Sequence, residues 1–257
     1  MLPGRLPLLA ALVALACVTP GEAVPPRILI LSGENNHDWR STTPVLKAIL
    51  EEGQTFEITV NERVAELQPN DLEGVAAVLS NFNTFGKGDP VPVWGTPMRN
   101  FFIEWIRRGH GLVVVHAGSS EFYDWPEFQA LACTSWGKAS RHGRIHSSTV
   151  VIAPTSHPIT ASMADFETRD EFWDSSLLSA RALVLATVTP KVEFGGSGRP
   201  EPIAMATTLG EGRGFTLLLG HDAAAMRNVG FKVFLRRGTE WAATGGASIA
   251  EGIPTKQ

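Results

Sequence analysis

The chain has two cysteines in 257 residues, Cys17 and Cys133. Cys17 lies in an apolar N-terminal leader. Once that leader is removed a single thiol remains, and an internal disulfide is excluded. Stability must then come from a large buried core rather than from covalent staples. Cys133 ends the apolar stretch Phe128-Gln129-Ala130-Leu131-Ala132-Cys133, which reads as a buried, inert thiol. A block of basic residues is also missing. The formal net charge is −4, and removing residues 1–23 takes away Arg5 and Glu22 together, so it stays there. A nucleic-acid partner or an anionic membrane surface is not expected. No segment after the leader is long and uncharged enough to span a bilayer. There is no Gly-x-Ser-x-Gly elbow, which disfavours an α/β-hydrolase serine triad. There is no Walker loop or dinucleotide fingerprint either; the first turn reads Gly33-Glu34-Asn35-Asn36. No repeat or linker divides the chain, so one domain is expected over residues 24–245.

The leader has the parts of an export signal. Arg5 supplies the positive start, Leu6 to Val18 the apolar core, and Gly21-Glu22-Ala23 the small residues before a cut at Val24. The predicted location is periplasmic or extracellular. A lipid anchor on Cys17 is the competing reading. Ala14-Leu15-Ala16-Cys17 has Ala where a lipoprotein box has Leu or Val, which favours simple secretion.

Strands and helices alternate along the first half. Arg27–Leu31 is nearly all apolar and predicts a strand buried on both faces, as in a parallel sheet. A helix follows over Thr43–Glu52, with Pro44 in its first turn and Gly53 after its end. Strands are predicted at Phe56–Val60 and Val75–Leu79, a helix at Pro97–Arg108, and a central strand at Gly111–His116. The pattern implies an α/β fold: a doubly wound, mainly parallel sheet flanked by helices, flavodoxin-like in outline. Later strands are predicted at Thr149–Ile152 and Ala182–Ala186. Ile203–Thr208 and Phe215–Leu219 flank a glycine-rich turn and predict an antiparallel hairpin that extends the sheet at one side. Gly230–Ala243 reads as the closing helix, and 246–257 as a disordered tail.

In such sheets ligands bind beyond the carboxyl ends of the strands. Three segments place a histidine there: His37 with Asp38 and Trp39 after the first strand, His116 at the end of the central one, and His221-Asp222 after the hairpin. One such histidine merely satisfies loop backbone; three at equivalent ends point to a shared site. Asp170-Glu171-Phe172-Trp173-Asp174 sets carboxylates beside aromatic rings, where an acid/base pKa can be tuned. His142 and His146 are four apart and share a side whether the segment is helical or extended. They allow a divalent transition metal such as zinc; the plainer alternative is a polar loop on the rim. Trp39, Tyr123, Trp125, Trp136 and Trp173 are the aromatic platforms near this face.

Taken in order, these segments resemble the ThuA-like, trehalose-utilisation family. The carrying residues are Ile28 to Gly33 with His37-Asp38-Trp39 and Thr42 to Leu46. They continue with Gly109 to Ala117, His142-Gly143-Arg144-Ile145-His146, His157-Pro158-Ile159-Thr160 and Asp170-Glu171. Gly210 to Gly214 and Gly220-His221-Asp222 complete them. The resemblance runs from Arg27 to about Gly245. It implies a class I glutamine amidotransferase-like fold and a sugar-related role. Amidotransferases of that fold carry a cysteine at the turn after the central strand. Here the turn reads His116-Ala117-Gly118, so amidotransferase activity does not carry over. The expectation is an exported protein that acts on or binds a small carbohydrate or modified sugar, as a hydrolase or lyase-type enzyme. His116, Glu171 and His221 would form its polar centre, and His37, Asp38, Trp39 and Asp222 would hold the ligand. A non-catalytic sugar-binding module and a metal-dependent hydrolase using His142 and His146 are the alternatives.

Overall fold

The computed structural model describes residues 24–86, 93–120 and 122–250. The expected leader, with Cys17, and residues 251–257 of the tail lie outside them. Nine strands form one sheet: β1 (Arg27–Leu31), β2 (Glu57–Asn61), β3 (Val75–Ser80), β4 (Gly111–Val115), β5 (His146–Ile152), β6 (Phe166–Asp170), β7 (Leu183–Val188), β8 (Glu201–Leu209) and β9 (Gly212–Leu217). Their order is β2-β1-β3-β4-β9-β8-β7-β5-β6. The first five run parallel. The remaining pairings are antiparallel.

Alternation along the central strands explains the layers. Ile28, Ile30, Val113 and Val115 pack with Leu46, Leu50, Phe231 and Phe234 of helices α1 (Trp39–Glu51) and α4 (Val229–Thr244). Leu29, Leu31, Leu112 and Val114 face the other way, onto Phe102 and Ile106 of α2 (Thr96–Arg107) and Phe128 of α3 (Pro126–Leu131). Apolar residues at both parities are what a strand covered on two sides requires.

Three sequence readings change. The hairpin forms across Gly210-Glu211, but it does not merely extend one side of the sheet. β9 inserts beside β4 in parallel register, so the hairpin sits at the centre and only β8 turns the sheet antiparallel. Helix α1 begins a turn earlier than expected. Asp38 caps it by accepting from the Ser41 N–H (3.3 Å), which leaves Pro44 inside the helix. The residues just after Gly245 are not loose. The Ser248 and Ile249 N–H groups donate to the Glu240 carboxylate (2.8 and 3.0 Å), and Arg237 Nε donates to the Ile249 carbonyl (2.6 Å).

Cys133 is fully buried, and burial pushes its thiol up to about 12. Native protein starting at Val24 should resist a thiol-alkylating reagent at pH 8, and the same chain denatured should take up one equivalent. Rapid native labelling would contradict this packing. Among the described residues no helix is long and apolar enough to cross a membrane.

Candidate functional site

Because β1, β3, β4 and β9 are parallel, their carboxyl ends open onto one edge of the sheet. β6, reached through four antiparallel steps, points the same way. The loop after β1 carries His37. Asn35 Oδ1 accepts from the His37 N–H (2.9 Å) and from Asn83 Nδ2 (2.8 Å). Asn83, just beyond β3, donates from Nδ2 to the Ala117 carbonyl as well (3.1 Å), and its Oδ1 accepts from the N–H groups of Asn36 and Phe85. One buried amide therefore ties three strand-end loops together.

The turn after β4 is sharp. His116 has φ = 45°, a left-handed backbone that is rare for a side chain of this size, and it opens a single 3₁₀ turn through Ser119. Gly118 follows because a Cβ there would lie 2.3 Å from the Ser80 carbonyl oxygen. His116 is held by donation from Nδ1 to the Leu218 carbonyl at the end of β9 (2.7 Å). That bond leaves Nε2 facing Glu171.

Glu171 is the centre of the site. Its Oε1 lies 3.5 Å from His116 Nε2, and its Oε2 lies 3.1 Å from His142 Nδ1 and 3.5 Å from His221 Nε2. The rings of His37, His116 and His221 meet pairwise edge to face, with centroids 4.7–5.5 Å apart and interplanar angles of 84–88°. Burial alone would raise the Glu171 carboxyl. The hydrogen bond and charge of His116, with His142 and His221, outweigh it and bring the group down to about 2. His116 moves up. Burial opposes its charge, but the bond to Glu171, the Asp170 and Glu171 charges and the Leu218 carbonyl prevail. His37 moves down to about 3, through burial first and then the neighbouring imidazoles His116 and His221. At neutral pH the site thus holds an ionised carboxylate, a His116 biased toward imidazolium, and a neutral His37.

Asp170 builds this arrangement from beneath. It is 1% exposed, and its carboxylate accepts from the N–H groups of Glu171 (2.9 Å), Gly220 (2.7 Å) and His221 (3.1 Å). It fixes the backbones that carry two of the polar residues. Gly220 has φ = 97°, and a Cβ there would meet the Phe231 ring at 2.6 Å, so the chain can turn toward Asp170 only with glycine.

The structure brings His37, His116, Glu171, His221 and His142 together, with Asp222 beside His221 (Oδ2 to Nδ1, 3.7 Å). It separates others from them. Asp38 caps α1. Trp39 lies under the Arg40 guanidinium (4.2 Å) and lines a different hollow, with Thr43, Lys47 and Glu62. His116, at 3% exposure, does not line the cleft but lies behind Glu171 and His37. His142 and His146 do not act as a pair. His146 uses both ring nitrogens on backbone, Nδ1 toward the Arg144 carbonyl (2.8 Å) and Nε2 accepting from the Lys191 N–H (3.0 Å), and it stacks on Phe194. It has no lone pair left for a metal, whereas His142 is half-exposed at the mouth. His157 caps the 3₁₀ turn over Pro158–Thr160.

The cleft is open to solvent, with about 70 Å³ of free space, and is lined by Asn36, His37, Ser120, His142 and Glu171 with Phe85, Trp136 and Trp173. Trp136 meets Trp173 edge to face at 4.9 Å and lies 5.8 Å from His142. Trp125, by contrast, is packed in the core. Asn83 and Phe85 escaped the sequence reading. They follow β3 at its carboxyl end, and the rule that singled out the other loops applies there equally.

A model of the ThuA family, described as trehalose utilisation, matches residues 27–242. The chain is 27% identical to a protein described as ThuA-like from Parabacteroides merdae ATCC 43184, with a TM-score of 0.77 over 90% of this chain and 95% of that one. A second protein described as ThuA-like, from Bacteroides uniformis ATCC 8492, shares the fold at 16% identity, with a TM-score of 0.62 over 90% and 98% of the two chains. No curated protein matches the chain. With the match spanning almost the whole described domain, the chain belongs to the ThuA family, whose description gives it a sugar-related role.

Proposed function

We propose that this chain binds a carbohydrate in the cleft above Glu171 and acts on it by proton transfer, in the extracytoplasmic space to which its leader pattern points. The observation that carries the reading is a carboxylate gripped by three imidazoles at the floor of a cleft walled by two indoles. Indole faces pack against the C–H face of a sugar ring, while Asn36, Ser120 and His37 offer hydrogen bonds to its hydroxyls. His142 Nδ1 donates to the Gly143 carbonyl (3.0 Å) and lies 3.1 Å from Glu171 Oε2, which leaves the other ring nitrogen as a lone-pair base. A carbonyl and a carboxylate beside one ring nitrogen together fix its tautomer. His116 is a positioning residue that keeps Glu171 ionised from behind. A base so placed serves hydrolysis by taking a proton from water, or elimination by taking one from a ring carbon.

The test is calorimetric titration of the protein, expressed from Val24, with a panel of mono- and disaccharides, followed by product analysis of any sugar that binds. One sugar class should bind and be converted, and Trp136→Ala should weaken its binding roughly tenfold, in line with losing an aromatic contact of about 1 kcal/mol or more. Binding without conversion would leave a sugar-binding module and remove the catalytic half of the proposal. Silence across the panel, or equal affinity in Trp136→Ala, would overturn it.

A further inference from the structure

We infer that His37, Glu171 and His221 form a three-ligand face for one divalent transition-metal ion. One ligand atom from each lies within 4.8 Å of the other two, and the three come from separate loops, after β1, β6 and β9. Ligands about 2.1 Å from a common ion sit roughly 3.0–3.5 Å apart, so the spread closes with side-chain shifts of about 1 Å. The Glu171–His221 edge, at 3.5 Å, already has that length.

The groups behind the ligands fit this role. His37 Nδ1 faces the side-chain oxygens of Asn35 (3.3 Å) and Asn36 (3.2 Å). Oxygen acceptors there place the proton on Nδ1 and leave the lone pair on Nε2. His221 Nδ1 is buried and unpaired, with the Asp222 carboxylate 3.7 Å away. Ion binding at Nε2 would draw that N–H onto Asp222, the arrangement that orients most metal-bound histidines. Asp170 fixes the backbones of two of the three ligands. Two imidazoles and one carboxylate suit zinc, cobalt or a similar borderline ion and disfavour calcium and magnesium, which prefer all-oxygen shells. The sequence suggested a metal through His142 and His146; this face uses neither.

The inference deepens the carbohydrate reading and rests on it only for the ion's role, which is to polarise a sugar oxygen beside the Glu171–His142 pair. Binding of the ion is measured with no sugar present, so the two readings can fail separately. Untagged protein starting at Val24 is stripped with chelator, then titrated with Zn²⁺ by calorimetry and with Co²⁺ by visible absorption. The expected result is one ion per chain. His37→Ala, His221→Ala and Glu171→Gln should each weaken binding at least a hundredfold and abolish the Co²⁺ bands, while His110→Gln, at a ring stacked on Trp105 far along the chain, should change neither. Circular dichroism checks that each variant is folded; if His221→Ala unfolds, His37→Ala, on a partly exposed loop, decides alone. No stoichiometric ion, or unchanged affinity in His37→Ala, would overturn the inference.

Discussion

Glu171→Gln is expected to slow turnover of the bound sugar by about 10²–10⁴-fold, the usual contribution of a positioned acid/base group. The amide has the same shape, so the Trp136 and Trp173 walls that supply binding are unaltered. What goes is the negative charge. His116 then loses the strongest of the groups that raise its proton affinity, while the Asp170 charge and the Leu218 carbonyl stay beside it, so any proton left there is still partnered and the fold should survive. His142 loses the anion that directs it, and an amide oxygen replaces it only as a neutral, weaker acceptor. The measurement is kcat and KM for the sugar found by titration, alongside a thermal melt. A kcat within a factor of three of the parent would remove Glu171 from the chemistry. A comparable fall in KM and kcat would mean that the carboxylate strains the bound sugar instead.

Much of the sheet was legible because its strands are apolar on both sides. Arg27–Leu31 was delimited correctly, and β3 and β4 to within a residue. β6 was not, because Phe166 is its one inward apolar residue and the two fully buried positions, Thr168 and Asp170, give no hydrophobic signal; a strand that buries polar groups at the edge of a site reads as a loop. α1 was misplaced because Pro44 looked like a first-turn proline, although the capping carboxylate, Asp38, stood six residues earlier.

The polar centre was legible in two steps: the rule that loops at carboxyl ends of parallel strands converge found His37, His116 and His221, and Glu171 stood out as a carboxylate beside aromatic rings. The same rule says nothing about direction. Trp39 adjoins His37 in sequence but lies on the outer side of α1, whereas Trp136, almost a hundred residues on, stands over the cleft. Spacing misled at His142 and His146 for a related reason. Two rings on one side of a segment share a metal only if both keep a nitrogen lone pair, and the backbone of Arg144 and Lys191 claims both nitrogens of His146.

Asp170→Ala should show how far fold and site depend on one residue. Its carboxylate takes three backbone N–H groups at the junction of β6 and the turn after β9. Two of those bonds are buried, and removing the acceptor leaves their donors without partner or water. At roughly 1–3 kcal/mol for each orphaned group, a loss of about 3 kcal/mol or more is expected. Burial works against this carboxylate and raises its pKa, which argues that its N–H bonds are retained for position rather than for net stability. The loss should therefore appear twice. The urea midpoint should fall, and Zn²⁺ and sugar binding should fall further than stability alone accounts for, because His221 and Glu171 no longer share an anchor. Asp170→Asn, which keeps one acceptor oxygen and sets an N–H against another N–H, should lie between Asp170→Ala and the parent in both readouts. Glu171→Gln supplies the contrast, keeping the midpoint and losing turnover. If Asp170→Ala kept the parent's midpoint and its Zn²⁺ affinity, the three bonds would be incidental, and the strand-end loops would have to be held by Asn83 and the His116–Leu218 bond alone.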